Sequence, residues 1–179
     1  MAYKVIHYIN QFFANIGGEE MAHIAPEIRE GAVGPGLGLN QQFKGEAEII
    51  ATVVCGDSYF NENIEAATTK IIDLIKDYQA DLFIAGPAFN AGRYGTACGT
   101  ICKAVQDKLN IPTLTGMYIE NPGADMFKKE VYIIETSNAA TGMRKALPKI
   151  GSLAMKIVKG EDILDAKTEG YMLRGIRKN

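Results

Sequence analysis

Five short apolar runs punctuate the chain: Lys4 to Ile9, Glu48 to Cys55, Asp81 to Ala85, Thr113 to Ile119 and Val131 to Glu135. They are rich in Val, Ile and Leu and alternate little, the pattern of strands covered on both faces. Between them the spacing becomes helical. From Glu62 to Tyr78 the residues Ile64, Ala67, Ile71, Leu74, Ile75 and Tyr78 recur at one-face intervals, which predicts an amphipathic helix with Asn61 as its cap. Ala97 to Leu109 repeats the design with Ile101, Ala104, Val105 and Leu109, and stops at Asn110-Ile111-Pro112. Ala139 to Val158 reads as a last long helix, kinked at Pro148.

Strands alternating with helices predict an α/β fold: a three-layer, mostly parallel, five-stranded sheet with flavodoxin-like winding. This α/β domain is expected over residues 1–159, with an irregular insertion at 19–45. There Pro26, Gly31, Gly34, Pro35, Gly36 and Gly38 interrupt any period, and long irregular segments in compact domains are commonly functional. Residues 160–179 read as a polar tail or linker ending in Arg174, Arg177 and Lys178.

With 179 residues and 47% apolar content, the chain is long enough for one sizeable core. Nineteen basic against 21 acidic residues leave a formal charge of −2, with neither sign concentrated as nucleic-acid binding requires. The start lacks the apolar core of a signal peptide, and no run approaches the roughly 20 apolar residues of a membrane span. A cytoplasmic protein is the expectation, with no membrane partner, and self-association is left open. Three cysteines do not make a disulfide framework. Cys98 and Cys102 share a helical face, which permits metal or redox chemistry, but the further ligands of a closed zinc site are missing; packing in the core is the preferred reading, and no metal site is expected.

In open α/β sheets, ligands bind beyond the carboxyl ends of the strands. The residues following the five runs are Asn10 and Gln11; Gly56, Asp57, Tyr59 and Phe60; Pro87 to Arg93, with Asn90 among them and Tyr94 just after; Glu120 and Asn121; and Ser137 and Asn138. The third set belongs to a glycine-rich strand-to-helix turn, Ala85 to Thr100, whose backbone N–H groups and helix dipole favour an anion. Arg93 adds a forked cationic donor suited to a carboxylate or phosphate. Amides, one Arg, two acids and aromatics together suit a small zwitterion, its carboxylate on Arg93 or the turn and its amine on Asp57 or Glu120. The candidate ligand-binding set is therefore Asn10, Gln11, Asp57, Phe60, Asn90, Arg93, Tyr94, Glu120 and Asn121. Bland readings compete: Asn10, Asn121 and Asn138 as turn or helix caps, Arg93 as a surface ion-pair partner, His7 as a hydrogen-bonded core residue. The turn lacks G-x-G-x-x-G and the P-loop pattern, so a stand-alone flavodoxin-like small-molecule or nucleotide-binding module is the alternative.

Several separate segments carry a family resemblance: Tyr8-Ile9-Asn10-Gln11-Phe12-Phe13, Gly17-Gly18-Glu19-Glu20, Val33-Gly34-Pro35-Gly36, Cys55-Gly56-Asp57, the turn itself, Gly116 to Gly123, and Arg174-Gly175-Ile176-Arg177. The chain resembles, from end to end, the amino-terminal part of the selenoprotein B subunit of the glycine/sarcosine/betaine reductases. The resemblance implies a substrate-specific subunit for reductive C–N cleavage of an amino acid, leading to acetyl phosphate and an amine or ammonia. It also implies a selenocysteine nucleophile in a carboxyl-terminal half that this sequence does not contain, and a pyruvoyl group in a partner subunit that captures the substrate amine. A second, carboxymethyl-accepting selenoprotein follows in the sequence of transfers. On this reading no residue of this chain is catalytic. The chain binds a small amino acid or a partner subunit, works with the selenocysteine-bearing half, and is inactive alone.

Overall fold

The structure is a computed structural model and describes residues 1–175. Arg177 and Lys178 of the expected basic tail lie outside the described residues. The chain opens with β1 (Tyr3–Asn10), followed by β2 (Glu27–Glu30), α1 (Pro35–Phe43), β3 (Ala47–Cys55), α2 (Asp57–Glu62) and α3 (Ile64–Ile75). Then come β4 (Leu82–Ala85), α4 (Gly92–Leu109), β5 (Thr113–Met117), α5 (Pro122–Phe127), β6 (Tyr132–Glu135), α6 (Met143–Lys159) and α7 (Ala166–Glu169).

The described residues form one six-stranded mixed sheet in the order β2-β3-β1-β4-β5-β6. The five strands expected from the apolar runs are all present and parallel. Taken alone they run second, first, third, fourth, fifth, an order compatible with a doubly wound, flavodoxin-like sheet. The expected count of five is corrected to six by β2, which pairs antiparallel with the edge of β3, Glu27 opposite Val54 through Glu30 opposite Ala51. Its four residues Glu-Ile-Arg-Glu are half exposed or exposed, so no apolar run announces it.

Two apolar layers sandwich the sheet. Ile6, Tyr8, Val53 and Phe83 pack with Ile71 and Ile75 of α3 and with Ile101 and Val105 of α4. On the other face Val5, Ile49, Ile84 and Leu114 pack with Leu39 and Phe43 of α1 and with Leu147, Ile150 and Leu153 of α6. The alternation of Val5 and Ile6 between the two layers follows from the two-residue period of a strand. α1 lies in the segment expected to be irregular. A Cβ at Gly36 would come within 3.1 Å of both His7 Nδ1 and Ile49 Cδ1, so the helix backbone rides close on β1 and β3. Its helicity is set by that packing rather than by propensity.

The helix expected from Glu62 is divided at Asn63, and Asn61 sits in the last turn of α2 instead of capping α3. α4 begins at Gly92, five residues earlier than its apolar period suggests. Pro148 lies inside α6, which continues through it to Lys159. The segment read as a polar tail meets the sheet: Tyr171 bridges to Ile134, Met172 N–H donates to Ile133 O at 2.7 Å, and the Met172 side chain is buried. Tyr171 also packs edge-on against Tyr132, 5.0 Å between centroids, and the Arg174 guanidinium stands 4.4 Å from the Tyr132 ring centre.

Candidate functional site

The carboxyl ends of β1, β3 and β4 converge on a cavity of about 380 Å³. Of the residues expected to bind ligand, Asn10, Gln11, Asp57, Asn90 and Arg93 line it. Phe60 and Tyr94 are fully buried beneath and do not line it. Glu120 is exposed and outside it. Asn121 is also outside: its Nδ2 donates to Phe89 O and Ala91 O, both at 3.0 Å, while its Oδ1 accepts from Gly123 N–H at 3.0 Å. Asn121 thus caps α5 and fixes the loop after β4 at once.

Asp57, the first residue of α2, is at the floor of the cavity. Asn10 Nδ2 donates to its Oδ2 at 3.0 Å, and the Asp57 N–H donates to Gln11 Oε1 at 3.3 Å. The second oxygen, Oδ1, is buried and has no hydrogen-bond partner. Burial pushes the Asp57 carboxyl up from 3.8 to about 6, against the opposing pull of the Asn10 hydrogen bond and the Arg93 charge. Asn10 and Gln11 also organise the loop that follows them. Asn10 Oδ1 accepts from Phe13 N–H at 3.0 Å, and Gln11 Nε2 donates to Gly18 O at 3.3 Å.

Arg93 stands in the first turn of α4, whose amino terminus has no side-chain cap. Its Nη2 donates to Glu19 Oε2 at 2.5 Å and its Nη1 to Ser58 Oγ. The Arg93 side chain remains 47% exposed and that of Glu19 72%. The guanidinium therefore keeps access to solvent while an internal carboxylate holds it. Asn61 braces the same turn, donating to Asp57 O at 2.9 Å and to Arg93 O at 3.0 Å, and accepting from Thr96 Oγ1 at 2.9 Å.

Phe12, Phe13 and Phe89 line the cavity as well and form a continuous aromatic wall. Phe13 lies 5.2 Å from Phe12 and 6.5 Å from Phe89 between ring centres. Phe89 has a φ of 51°, an unusual conformation for a bulky residue. Asn121 Nδ2 and Tyr118 N–H, both bonded to Phe89 O, hold it there. Sequence reasoning passed over Phe12, Phe13, Glu19 and Phe89 as site residues. The signals for three of them are the Gln-Phe-Phe and Gly-Gly-Glu-Glu segments, the second of which carries Glu19 across to Arg93. Phe89 had no signal beyond its place in the turn.

The three thiols are buried. Burial pushes Cys55 and Cys102 up to about 12 and Cys98 well above its ordinary value, so they stay protonated at neutral pH and are poor nucleophiles. Among the described residues no group of three or more His, Cys, Asp or Glu is placed to hold a metal ion. His7 is buried, with Nε2 2.7 Å from Gly86 O, and burial lowers it to about 4, so it is neutral in the core. Among the same residues no helix is long and apolar enough to cross a membrane.

A polar, two-signed cavity at the strand ends of a mixed α/β sheet is shared by many unrelated proteins. The comparison that separates them is of sequence: the family model described as glycine/sarcosine/betaine reductase selenoprotein B matches residues 2–179. The chain belongs to that family. It is 57% identical over 176 residues to the sarcosine reductase complex component B subunit beta of Peptoclostridium acidaminophilum, covering 98% of this chain and 40% of the relative. It is 58% identical over 177 residues to the glycine reductase complex component B subunit gamma of Carboxydothermus hydrogenoformans, covering 99% of this chain and 41% of the relative. The betaine reductase complex component B subunit beta of Peptoclostridium acidaminophilum is 45% identical over 174 residues, covering 97% of this chain and 40% of the relative. The chain thus spans about 40% of the length of these relatives. No solved structure matches it.

Proposed function

We propose that this chain is the substrate-holding part of protein B in an amino-acid reductase complex, and that the cavity between Arg93 and Asp57 receives the amino acid. The observation that carries the reading is the pairing of an accessible guanidinium with a buried carboxylate across one cavity of about 380 Å³, in a chain whose whole length matches the family. A zwitterion has the complementary charges: its carboxylate faces Arg93 and the uncapped start of α4, and its ammonium faces Asp57. The buried thiols supply no nucleophile for C–N cleavage. The reacting selenol belongs to the selenocysteine-bearing half, and the amine-capturing pyruvoyl group to a separate subunit. The carboxymethyl-accepting selenoprotein then takes the product of that step. All of these are cytoplasmic components on this reading.

The test is reconstitution. The chain is purified and assayed for acetyl phosphate formation from glycine, sarcosine and betaine, first with the other complex components lacking the selenocysteine-bearing half, then with that half restored. Activity is expected only in the second mixture. Turnover in the first mixture refutes the assignment of this chain as a non-catalytic partner. Activity in the second that is indifferent to substitution of Arg93 refutes the cavity as the substrate site.

A further inference from the structure

Phe12 is 59% exposed, and of the large exposed apolar side chains among the described residues it is the one that lines the cavity. Its exposure is not fraying. The turn that carries it is closed by Ala14 N–H to Asn10 O at 3.2 Å, Asn15 N–H to Phe12 O at 3.0 Å and Ile16 N–H to Gln11 O at 3.0 Å, and its ring is set edge-on against Phe13. An ordered turn thus holds an aromatic ring in water at the mouth. The rest of the rim is equally poor in free charge. Ala91, Ala139 and Ala140 line the cavity and are exposed, each beside a small or neutral neighbour, and the two charged groups at the mouth, Glu19 and Arg93, pair with each other. Alanines let a second backbone approach closely, and a ring fixed in advance loses little freedom on contact. An aromatic anchor among side chains without unpaired charge is the composition of an interface core.

We infer that this rim is the docking surface for the selenocysteine-bearing part of protein B, with Phe12 as its anchor. The inference rests on the reading above and names the partner of the same site. The occupant follows from access. The family is described as a selenoprotein, the 179 residues of this chain contain no selenocysteine, and they span about 40% of the relatives. The chain's own thiols are buried. A nucleophile carried on another protein surface reaches a molecule in the cavity only through the mouth, and so brings the surface around it onto the rim. Ile119 and Leu173, exposed around a second cavity of about 430 Å³, form the competing apolar surface. No residue lines both cavities, so a partner seated on the second gains no access to the first by that contact.

The experiment is calorimetric titration of the 179-residue chain with the purified selenocysteine-bearing half, repeated with Phe12→Ser and Ala140→Arg on the rim and with Ile119→Asp and Leu173→Asp on the competing surface. All four positions are exposed, so each variant is expected to keep its melting temperature. The two rim variants are expected to weaken association by roughly tenfold or more, through a lost anchor in one and a charge set into the contact in the other. The other two are expected to stay within about twofold of the original, as positions outside a contact do. Hydrogen exchange of the unsubstituted chain gives an independent reading: residues 11–16 and 137–142 are expected to gain protection when that half is bound. Retained affinity in both rim variants, or a loss confined to the Ile119 and Leu173 variants, overturns the docking surface. Rim variants that lose the pyruvoyl-containing subunit but keep the selenocysteine-bearing half overturn the occupant. Failure of the unsubstituted chain to bind that half overturns the inference as well. Glycine and acetate binding to the chain alone is measured beside it: its loss refutes the substrate cavity, and its presence leaves that reading standing whatever becomes of the docking surface.

Discussion

Glu19 Oε2 accepts a hydrogen bond from Arg93 Nη2 at 2.5 Å, across 74 residues of sequence and over the mouth of the cavity. The pair joins a short helical turn after Gly17-Gly18 to the first turn of α4. A carboxylate already occupies the group that a ligand carboxylate would use, so Glu19 both demonstrates the chemistry of the place and competes for it.

Arg93→Lys is expected to weaken substrate binding, or kcat/KM of the reconstituted complex, by roughly ten- to hundredfold, because a compact ammonium replaces a bidentate fork. Stability should change by no more than about 1 kcal/mol, since the pair it breaks is solvent-exposed. Titration calorimetry beside urea denaturation separates the two effects; unchanged substrate dependence removes Arg93 from the site.

Glu19→Gln releases the guanidinium from its internal partner. Acetate or glycine is then expected to bind up to about fivefold more tightly, the ceiling set by an exposed ion pair, and the gain should shrink as salt is raised. Weaker binding in this variant shows instead that Glu19 positions Arg93 for the ligand.

The pH dependence of stability is expected to be shallow in the protein and steep in one variant. The folded-state carboxyl of Asp57 lies at about 6, above its ordinary 3.8, so its contribution is fully present below pH 3.8 and is lost as pH rises through 6. His7 has the opposite sign: held at about 4 against an ordinary 6.5, it contributes above pH 6.5 and that stability is lost as pH falls through 4. Between pH 4 and 6 the two slopes oppose. Asp57→Asn removes one of them, so stability should then climb from pH 4 to 6.5 by about 2–3 kcal/mol and exceed that of the unsubstituted protein at pH 7. Urea denaturation at four pH values checks the sign.

Gly95→Ala is expected to cost about 1–3 kcal/mol, because a Cβ there overlaps the Asn121 side chain where α4 meets α5. Asn121 then loses its hold on Phe89 O and Ala91 O, so substrate affinity should fall together with stability. Lost stability with unaltered affinity would separate the loop from the site.

Met172→Ala, far from the cavity, is expected to destabilise by about 2–5 kcal/mol without changing affinity. Its side chain is 3% exposed and packs in the layer beneath α3 and α4. A melting temperature within about 2 °C of the original would make the segment after Gly170 an appendage.

What the sequence determined by itself is what local periodicity encodes. Ile64, Ala67, Ile71 and Ile75 can share a face only on a helix, and Val5, Ile6, Val53 and Ile84 lie in runs too apolar for anything but covered strands, so the parallel strands and main helices were legible. β2 was not, because Glu27 to Glu30 is a short half-exposed edge strand whose order comes from pairing with β3. Nor was α1, whose Gly36 and Gly38 argue against a helix until His7 and Leu147 of α6 are packed on it. The rule that ligands gather at strand ends located Asn10, Gln11, Asp57, Asn90 and Arg93 together. Only the tertiary structure decided that Asn121 is occupied with holding the loop and that Glu19 meets Arg93. Periodicity reports which face of an element is buried; it carries no information on which side chains from distant elements meet, because that depends on how the elements are stacked.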